Sequence, residues 1–157
     1  MRPSAALSPL HRRSLAVSGG VLWLSGIAWL LLHYYAPIEG DFGPEANPLE
    51  PWLLKAHGLG EIAALLAIGG LLAVHVTAGW EVRQQRIRGI TIGATVLVLT
   101  ATGYLLYYTG NEQLRGSASI VHWILGLGSP AIFLWHRAGR RNADPRDVQL
   151  SPEPDSK

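Results

Sequence analysis

The sequence contains no cysteine and few charged residues. The absence of cysteine excludes iron–sulfur clusters held by thiolates, covalently attached c-type haem and disulfides. Charged residues make up 15% of the chain, against roughly 25% in soluble domains, whereas hydrophobic residues make up 48%. A chain of 157 residues is about the length of one domain. This composition argues against a soluble globular protein and leaves only non-covalent cofactors for any redox chemistry.

Hydrophobic residues are gathered into four long runs that together cover more than half of the chain. Each run meets or approaches the roughly 20 residues that a helix needs to cross a bilayer core, and only Glu61 within them carries a formal charge. The runs are Leu15–Tyr35, Ala56–Trp80, Ile90–Thr109 and Ser117–Trp135. They predict an all-α, up-and-down four-helix transmembrane bundle, with helices over about residues 15–35, 52–80, 89–109 and 117–136.

The two ends of the chain are expected to differ in structure. The first run is longer than the roughly 7–15 apolar residues of a signal peptide, and no small-x-small cleavage site follows it. It is therefore predicted to be retained as the first helix of a domain over residues 1–137. The polar residues from Ala138 onward cannot bury enough apolar surface to become ordered, so residues 138–157 are predicted to be a disordered cytoplasmic tail.

Basic residues are divided unevenly between the two sides of the predicted bundle. All but two of the 13 basic residues lie in the amino-terminal tail, near residues 81–89 or in the carboxy-terminal tail, and the two exceptions are Lys55 and Arg115. The positive-inside rule therefore places both termini in the cytoplasm. We expect a multi-pass protein of a bacterial inner (plasma) membrane, whose bilayer is its first partner.

The two connections on the other side differ in length. The residues from Ala36 to Lys55 include four prolines and two glycines, which predicts an irregular acidic loop without further elements. The connection from Gly110 to Gly116 is short, so the third and fourth helices are predicted to be antiparallel neighbours.

Several other classes of motif are missing. We find no internal repeat, no phosphate-binding glycine loop, no DNA-reading motif and no arrangement of a serine or cysteine nucleophile. The cytoplasmic arginines are explained by topology and by anionic lipid, so no nucleic-acid partner is expected.

Four of the six histidines lie on two helices at matching depths. His57 and His75 are about five helical turns apart on one face of the second helix, and His122 and His136 are about four turns apart on the fourth. The two helices run in the same direction, so His57 is level with His122 near the outer surface and His75 with His136 near the inner one. Two facing imidazoles at each of two depths are what two haems held by bis-histidine ligation require.

The pairing of ligands leaves alternatives open. His33, at the outer end of the first helix, is an alternative to His57 as a ligand of the outer haem. His11, just before that helix, is an alternative to His75 at the inner haem. A histidine near a helix end is also a common interfacial anchor, and this interpretation is favoured for His11 and His33.

Two charged residues are further candidates for the site. Glu61 follows His57 by one turn and is a candidate to take a proton from a quinol or to hydrogen-bond a histidine; a plain interhelical hydrogen bond is equally consistent. Arg115 is a candidate partner for a haem propionate, with a solvated loop charge as the alternative. Glycines such as Gly60 and Gly70 provide either room for a macrocycle or close packing of helices.

The histidine segments resemble those of a known family. The fourth-helix stretch Ile120-Val-His122-Trp-Ile-Leu-Gly126 through Leu134-Trp-His136-Arg137, and the second-helix stretch Lys55-Ala-His57-Gly-Leu-Gly60 through Val74-His75-Val76, resemble the membrane-embedded b-type cytochromes of bacteria. These include the di-haem cytochrome b subunits of formate dehydrogenase and nickel–iron hydrogenase and cytochrome b561-like proteins.

The resemblance implies a function. It implies a di-haem b electron carrier between the quinone pool and a soluble or periplasmic partner, such as a c-type cytochrome or another oxidoreductase subunit. It leaves open whether the protein acts alone or within an enzyme complex.

Two other functional classes remain. One is a small transporter or metal-handling protein that uses the same histidines, and the other is a membrane anchor without redox activity. The apolar stretches between the paired histidines argue against a polar path across the bilayer.

Overall fold

The protein is described here by a computed structural model that covers residues 8–79 and 83–138, with side chains at 8–72 and 86–138. Its helices are α1 (Pro9–Tyr35), α2 (Glu50–Gly79), α3 (Arg83–Tyr108) and α4 (Glu112–Ala138). Two short strands, β1 (Ile38–Gly40) and β2 (Gly43–Glu45), lie between α1 and α2. The four predicted helices are confirmed, whereas the predicted tail beyond Ala138 lies outside the described residues.

Capping residues extend the helices beyond their apolar runs. At the start of α1 the Ser8 hydroxyl accepts a hydrogen bond from the backbone N–H of His11, and Pro9 occupies the first turn. At the start of α4 the Asn111 side-chain oxygen accepts from the backbone N–H of Leu114. Such side chains satisfy backbone donors that a helix leaves unpaired at its amino end. Both helices therefore begin several residues before the hydrophobic segment.

This extension corrects the predicted location of several arginines. Arg115 was expected in a loop from Gly110 to Gly116, but it lies in the first turn of α4 because that helix begins at Glu112. Arg86 and Arg88 likewise lie within α3 rather than in a loop.

The prediction of an irregular loop without further elements between α1 and α2 was also wrong. Antiparallel strands β1 and β2 pair Ile38 with Glu45 and Gly40 with Gly43, so that Asp41 and Phe42 form the turn. Gly43 has a φ of +119°, a conformation that glycine adopts without steric cost. The short glycine-flanked segment therefore closes a hairpin despite the prolines around it.

The helices pack as two antiparallel pairs. Along α1 and α2, Gly70 lies against His11, Gly60 against Leu22, and Gly26 against His57, which is the order expected for antiparallel neighbours. Helices α3 and α4 form the second pair, while α1–α4 and α2–α3 meet over much shorter stretches. The order around the bundle is thus α1, α2, α3, α4, and α2 and α4 face each other diagonally.

The outer surface of the bundle is apolar. Large aliphatic side chains on all four helices are mostly exposed, including Leu24 (65%), Leu66 (74%), Leu97 (70%) and Leu134 (62%). Each helix contains a segment that is long and apolar enough to cross a membrane. Such a surface suits a lipid environment, because water disfavours contiguous apolar area of this extent.

A proline within α4 has a compensating neighbour. Pro130 lacks a backbone N–H, so the carbonyl of Gly126 loses its usual donor within the helix. The Ser129 hydroxyl donates a hydrogen bond to that carbonyl over 2.8 Å. In an apolar surrounding this bond spares a buried carbonyl from remaining unsatisfied.

Replacing Ser129 tests this compensation. We expect Ser129→Ala to lower the free energy of unfolding by about 1 kcal/mol, because the Gly126 carbonyl then has no donor. Denaturant titration in detergent measures the change, and Ser117→Ala on the same helix is the control. An equal loss in both variants would contradict the compensation, because the Ser117 hydroxyl bonds a carbonyl that no proline has freed.

Candidate functional site

Two imidazoles meet in the centre of the bundle. The ring centroids of His57 on α2 and His122 on α4 are 6.1 Å apart, with an interplanar angle of 60°. Both side chains are half-buried, although their helices are diagonal and make no direct backbone contact among the described residues. The structure therefore brings together the two histidines that were predicted to share one depth.

Each of these rings is held by a hydroxyl from a neighbouring helix. The Nδ1 atom of His57 lies 3.0 Å from the Ser25 hydroxyl on α1, and that of His122 lies 2.9 Å from the Thr102 hydroxyl on α3. Ser25 donates its own hydrogen to the Val21 carbonyl over 2.6 Å. With that hydrogen committed, the Ser25 oxygen is left to accept from an Nδ1–H group of His57, beside the backbone carbonyl of Leu22, which is a second acceptor for this imidazole.

The same reasoning holds in the second half of the bundle. Thr102 donates its hydrogen to the Val98 carbonyl over 2.7 Å, so its oxygen accepts from the Nδ1–H group of His122. Because neutral imidazole carries one N–H group, Nε2 retains the lone pair in both rings. This tautomer is the one in which a histidine binds a metal through Nε2 while its other nitrogen is held by an acceptor.

The separation of the rings fits a single metal ion between them. A metal–imidazole bond is about 2 Å, so two in-line nitrogens lie about 4 Å apart and their ring centroids about 6 Å apart. The observed 6.1 Å agrees with this estimate. Among the described residues, no group of three or more histidine, cysteine or acidic side chains converges on a metal position. A metal here would take its remaining ligands from a cofactor or from water.

Few large side chains are buried within the bundle. In the part of the chain whose side chains are described, Ala118 is the one buried hydrophobic residue, and no large side chain is fully buried. Natural helical bundles usually bury large side chains in their interior. The donor set of two imidazoles fits the iron of a flat macrocycle such as haem b.

Two glycines make space for the imidazoles. A Cβ atom on Gly26 of α1 would lie 3.3 Å from Cε1 of His57, and one on Gly103 of α3 would lie 3.5 Å from Cε1 of His122. Gly60 and Gly70 contact side chains of α1 instead, so they serve close helix packing. The glycines next to the rings are thus on the helices that provide the hydroxyls.

Glu61 lies close to the imidazole pair. Its Oε2 atom is 3.9 Å from the position of a Cβ on Gly103, the same position that His122 approaches. The carboxyl group is half-buried and belongs to the helix that carries His57. The predicted role of Glu61 toward a quinol or a histidine stays a prediction.

His33 is bound to a different group. Its Nδ1 atom lies 3.1 Å from Oε2 of Glu50, a carboxylate that is 7% exposed and that also accepts from the backbone N–H of Asn47. The imidazole of His33 also stacks on Trp29 at 4.5 Å. In this arrangement His33 connects the ends of α1 and α2 and is not the ring that faces His122.

The histidines at the other end of the bundle are only partly described. The Nε2 atom of His11 on α1 lies 2.8 Å from the carbonyl oxygen of Ala67 on α2. A haem ligand would need this nitrogen, but in His11 it contacts the neighbouring helix. His136 is half-buried on α4. His75 lies on α2, but its side chain is outside the described residues. The predicted pairing of His75 with His136 stays a prediction.

Arg115 is exposed in the first turn of α4, about two turns along the helix from His122. Among the described contacts its backbone N–H donates to the Asn111 carbonyl, and no ion pair of its guanidinium is present. A role toward a propionate stays a prediction.

Sequence reasoning missed the residues that support the imidazoles. These are Ser25, Gly26, Thr102 and Gly103. The available signal was a hydroxyl residue followed by glycine, which occurs at Ser18-Gly19 and Ser25-Gly26 in α1 and at Thr102-Gly103 in α3. On both helices the hydroxyl residue and the glycine after it contact the same histidine.

Comparisons with protein-family models, with curated proteins and with solved structures found no match to this chain.

The glycine contacts lead to a stability prediction. Gly19→Ala fills open space and should raise the free energy of unfolding by up to about 1 kcal/mol, because alanine favours a helix. Gly26→Ala should gain less or lose stability, because its Cβ would press on His57. Thermal unfolding of both variants in detergent measures the difference. Equal gains would mean that the imidazole does not occupy the position described.

Proposed function

We propose that this protein is an integral membrane cytochrome that carries electrons on non-covalently bound haem b. The observation that supports this most is the pair formed by His57 and His122, with ring centroids 6.1 Å apart and both Nδ1 atoms held by hydroxyls. The proposal agrees with the resemblance of the histidine segments to bacterial di-haem b-type cytochromes.

The residues have defined roles in this proposal. His57 and His122 would hold the haem iron through their Nε2 atoms, and the exposed aliphatic surface keeps the helices in lipid. Bound haem would supply an iron that changes between two oxidation states and so accepts and releases electrons. The apolar helices exclude water and hold the ligands in fixed orientation. Glu61 and Arg115 are the candidate contacts for a quinone and a propionate.

A second haem belongs to the same proposal. His75 on α2 and His136 on α4 are its proposed ligands, because each lies further along the helix that carries one ligand of the first pair. Two haems at different depths would connect the faces of the membrane. The ratio of haem to protein, measured after purification in detergent, distinguishes two sites from one.

The proposed location is a bacterial inner membrane with both termini in the cytoplasm. The charge asymmetry of the sequence supports this orientation, and the end of the bundle that carries the β-hairpin would then face the periplasm. Electrons would pass between the quinone pool and a periplasmic c-type cytochrome or an oxidoreductase subunit. The hairpin end, with its acidic residues, suits a partner of basic surface.

Optical spectra test the proposal. The purified protein should give the reduced-minus-oxidised spectrum of low-spin haem b, and either His57→Ala or His122→Ala should remove at least the signal of one haem. The reason is that an iron with one protein ligand loses its low-spin state and binds weakly. His33→Ala is the matched control, since His33 contacts Glu50 instead.

Several outcomes would contradict the proposal. A protein that contains bound metal but no haem would favour the transporter or metal-handling alternative, and one with neither would favour a plain anchor. A low-spin spectrum that survives in the His57→Ala/His122→Ala double variant, at unchanged haem content, would exclude this pair as ligands.

Reporter fusions test the orientation. A fusion at Lys157 should behave as cytoplasmic, whereas one inserted at Phe42, which is fully exposed in the turn between β1 and β2, should behave as periplasmic. The reversed pattern would overturn the assignment of the two faces.

A further inference from the structure

We infer that Ser25 and Thr102 are a matched pair of positioning residues that set the affinity and the redox potential of the cofactor bound between His57 and His122. This inference rests on the proposed function. His57 and His122 are then chemically equivalent ligands, since a hydroxyl holds each imidazole in the same way.

The equivalence is visible in the hydrogen bonds on both sides. The Ser25 hydroxyl bonds carbonyls at 2.6 and 3.2 Å in its own helix, and that of Thr102 bonds carbonyls at 2.7 and 3.1 Å. The distances to the imidazole nitrogens are 3.0 and 2.9 Å. Ser25 and Thr102 are also among the few buried polar residues, at 6% and 8% exposure.

The two helices share a longer pattern that places these hydroxyls. On each helix a second buried hydroxyl residue lies two turns toward the end that holds the termini, namely Ser18 on α1 and Thr95 on α3. Each bonds the carbonyl four residues earlier, over 2.8 and 2.9 Å. Helices α1 and α3 are thus corresponding elements, and each supports the histidine of the helix packed beside it.

The hydroxyl acts on the metal through the ring. An acceptor at Nδ1–H fixes the tautomer and orientation of the imidazole and makes Nε2 a stronger donor. Stronger donation stabilises the oxidised iron more than the reduced iron. Removing the hydroxyl leaves each imidazole with one backbone carbonyl as acceptor, that of Leu22 for His57 and that of Leu99 for His122. The loss of the second acceptor should weaken haem binding and shift the midpoint potential in the positive direction.

Hydroxyl-deleting variants of the full-length protein in detergent test the inference. We expect Ser25→Ala and Thr102→Val each to weaken haem b affinity by about 10- to 100-fold and to raise the midpoint potential. Because the positions are equivalent, the two shifts should be similar, and the double variant should show roughly their sum. Haem titration and redox potentiometry measure these quantities, and electron paramagnetic resonance reports the axial ligand field.

Matched controls separate positioning from packing. Ser25→Thr and Thr102→Ser keep a hydroxyl and should retain wild-type affinity and potential. Ser18→Ala and Thr95→Val remove buried hydroxyls whose bonds, among the described residues, are to carbonyls of their own helices, and should change neither quantity. Circular dichroism identifies any variant that fails to fold; if the double variant fails, the single and conservative variants decide.

The outcomes are distinguishable. Haem binding with unchanged affinity, potential and resonance spectrum in Ser25→Ala and Thr102→Val would overturn the inference while leaving the proposed function intact. Equal shifts in the Ser18→Ala and Ser25→Ala variants would also overturn it, because the effect would then be general packing. A wild-type protein that takes up no haem would overturn the proposed function itself.

Discussion

An imidazole placed among apolar helices needs an acceptor for its N–H group, and this requirement organises the centre of the bundle. Leaving such a group unsatisfied costs about 1–3 kcal/mol, and lipid offers no water to relieve it. Ser25 and Thr102, together with the backbone carbonyls of Leu22 and Leu99, meet the requirement for His57 and His122. They can do so only because α1 packs beside α2 and α3 beside α4, which makes each helix pair a unit of hydroxyl and histidine.

The two helix pairs are joined much less closely than the helices within each pair. Extensive packing between the pairs would fill the bundle interior with side chains. Instead the imidazoles reach across it from diagonal helices, and few side chains are buried around them. The two pairs are thus connected at this level by the contact between the two imidazoles.

Much of the fold could be predicted from the sequence, because apolar runs of membrane length have few alternatives to a helix. The depth of His57 and His122 followed from the period of the helix. The predictions failed where local hydrogen bonds and backbone conformation determine the structure. Asn111 caps α4, so that the helix begins before its apolar run. The positive φ of Gly43 allows a β-hairpin in a segment that contains several prolines. Ser25 and Thr102 were missed because a hydroxyl in an apolar helix usually bonds its own backbone.

The sequence by itself determined four apolar helices, their charge asymmetry and two histidines at one depth, because these depend on composition and on position along a helix. The tertiary structure decided which ring faces which. Helix period gives the depth of a side chain, but only the packing of neighbouring helices determines its partner across the bundle. The sequence placed both His33 and His57 near the outer surface of the bundle. In the structure Glu50 binds His33, whereas His57 contacts Ser25 and faces His122.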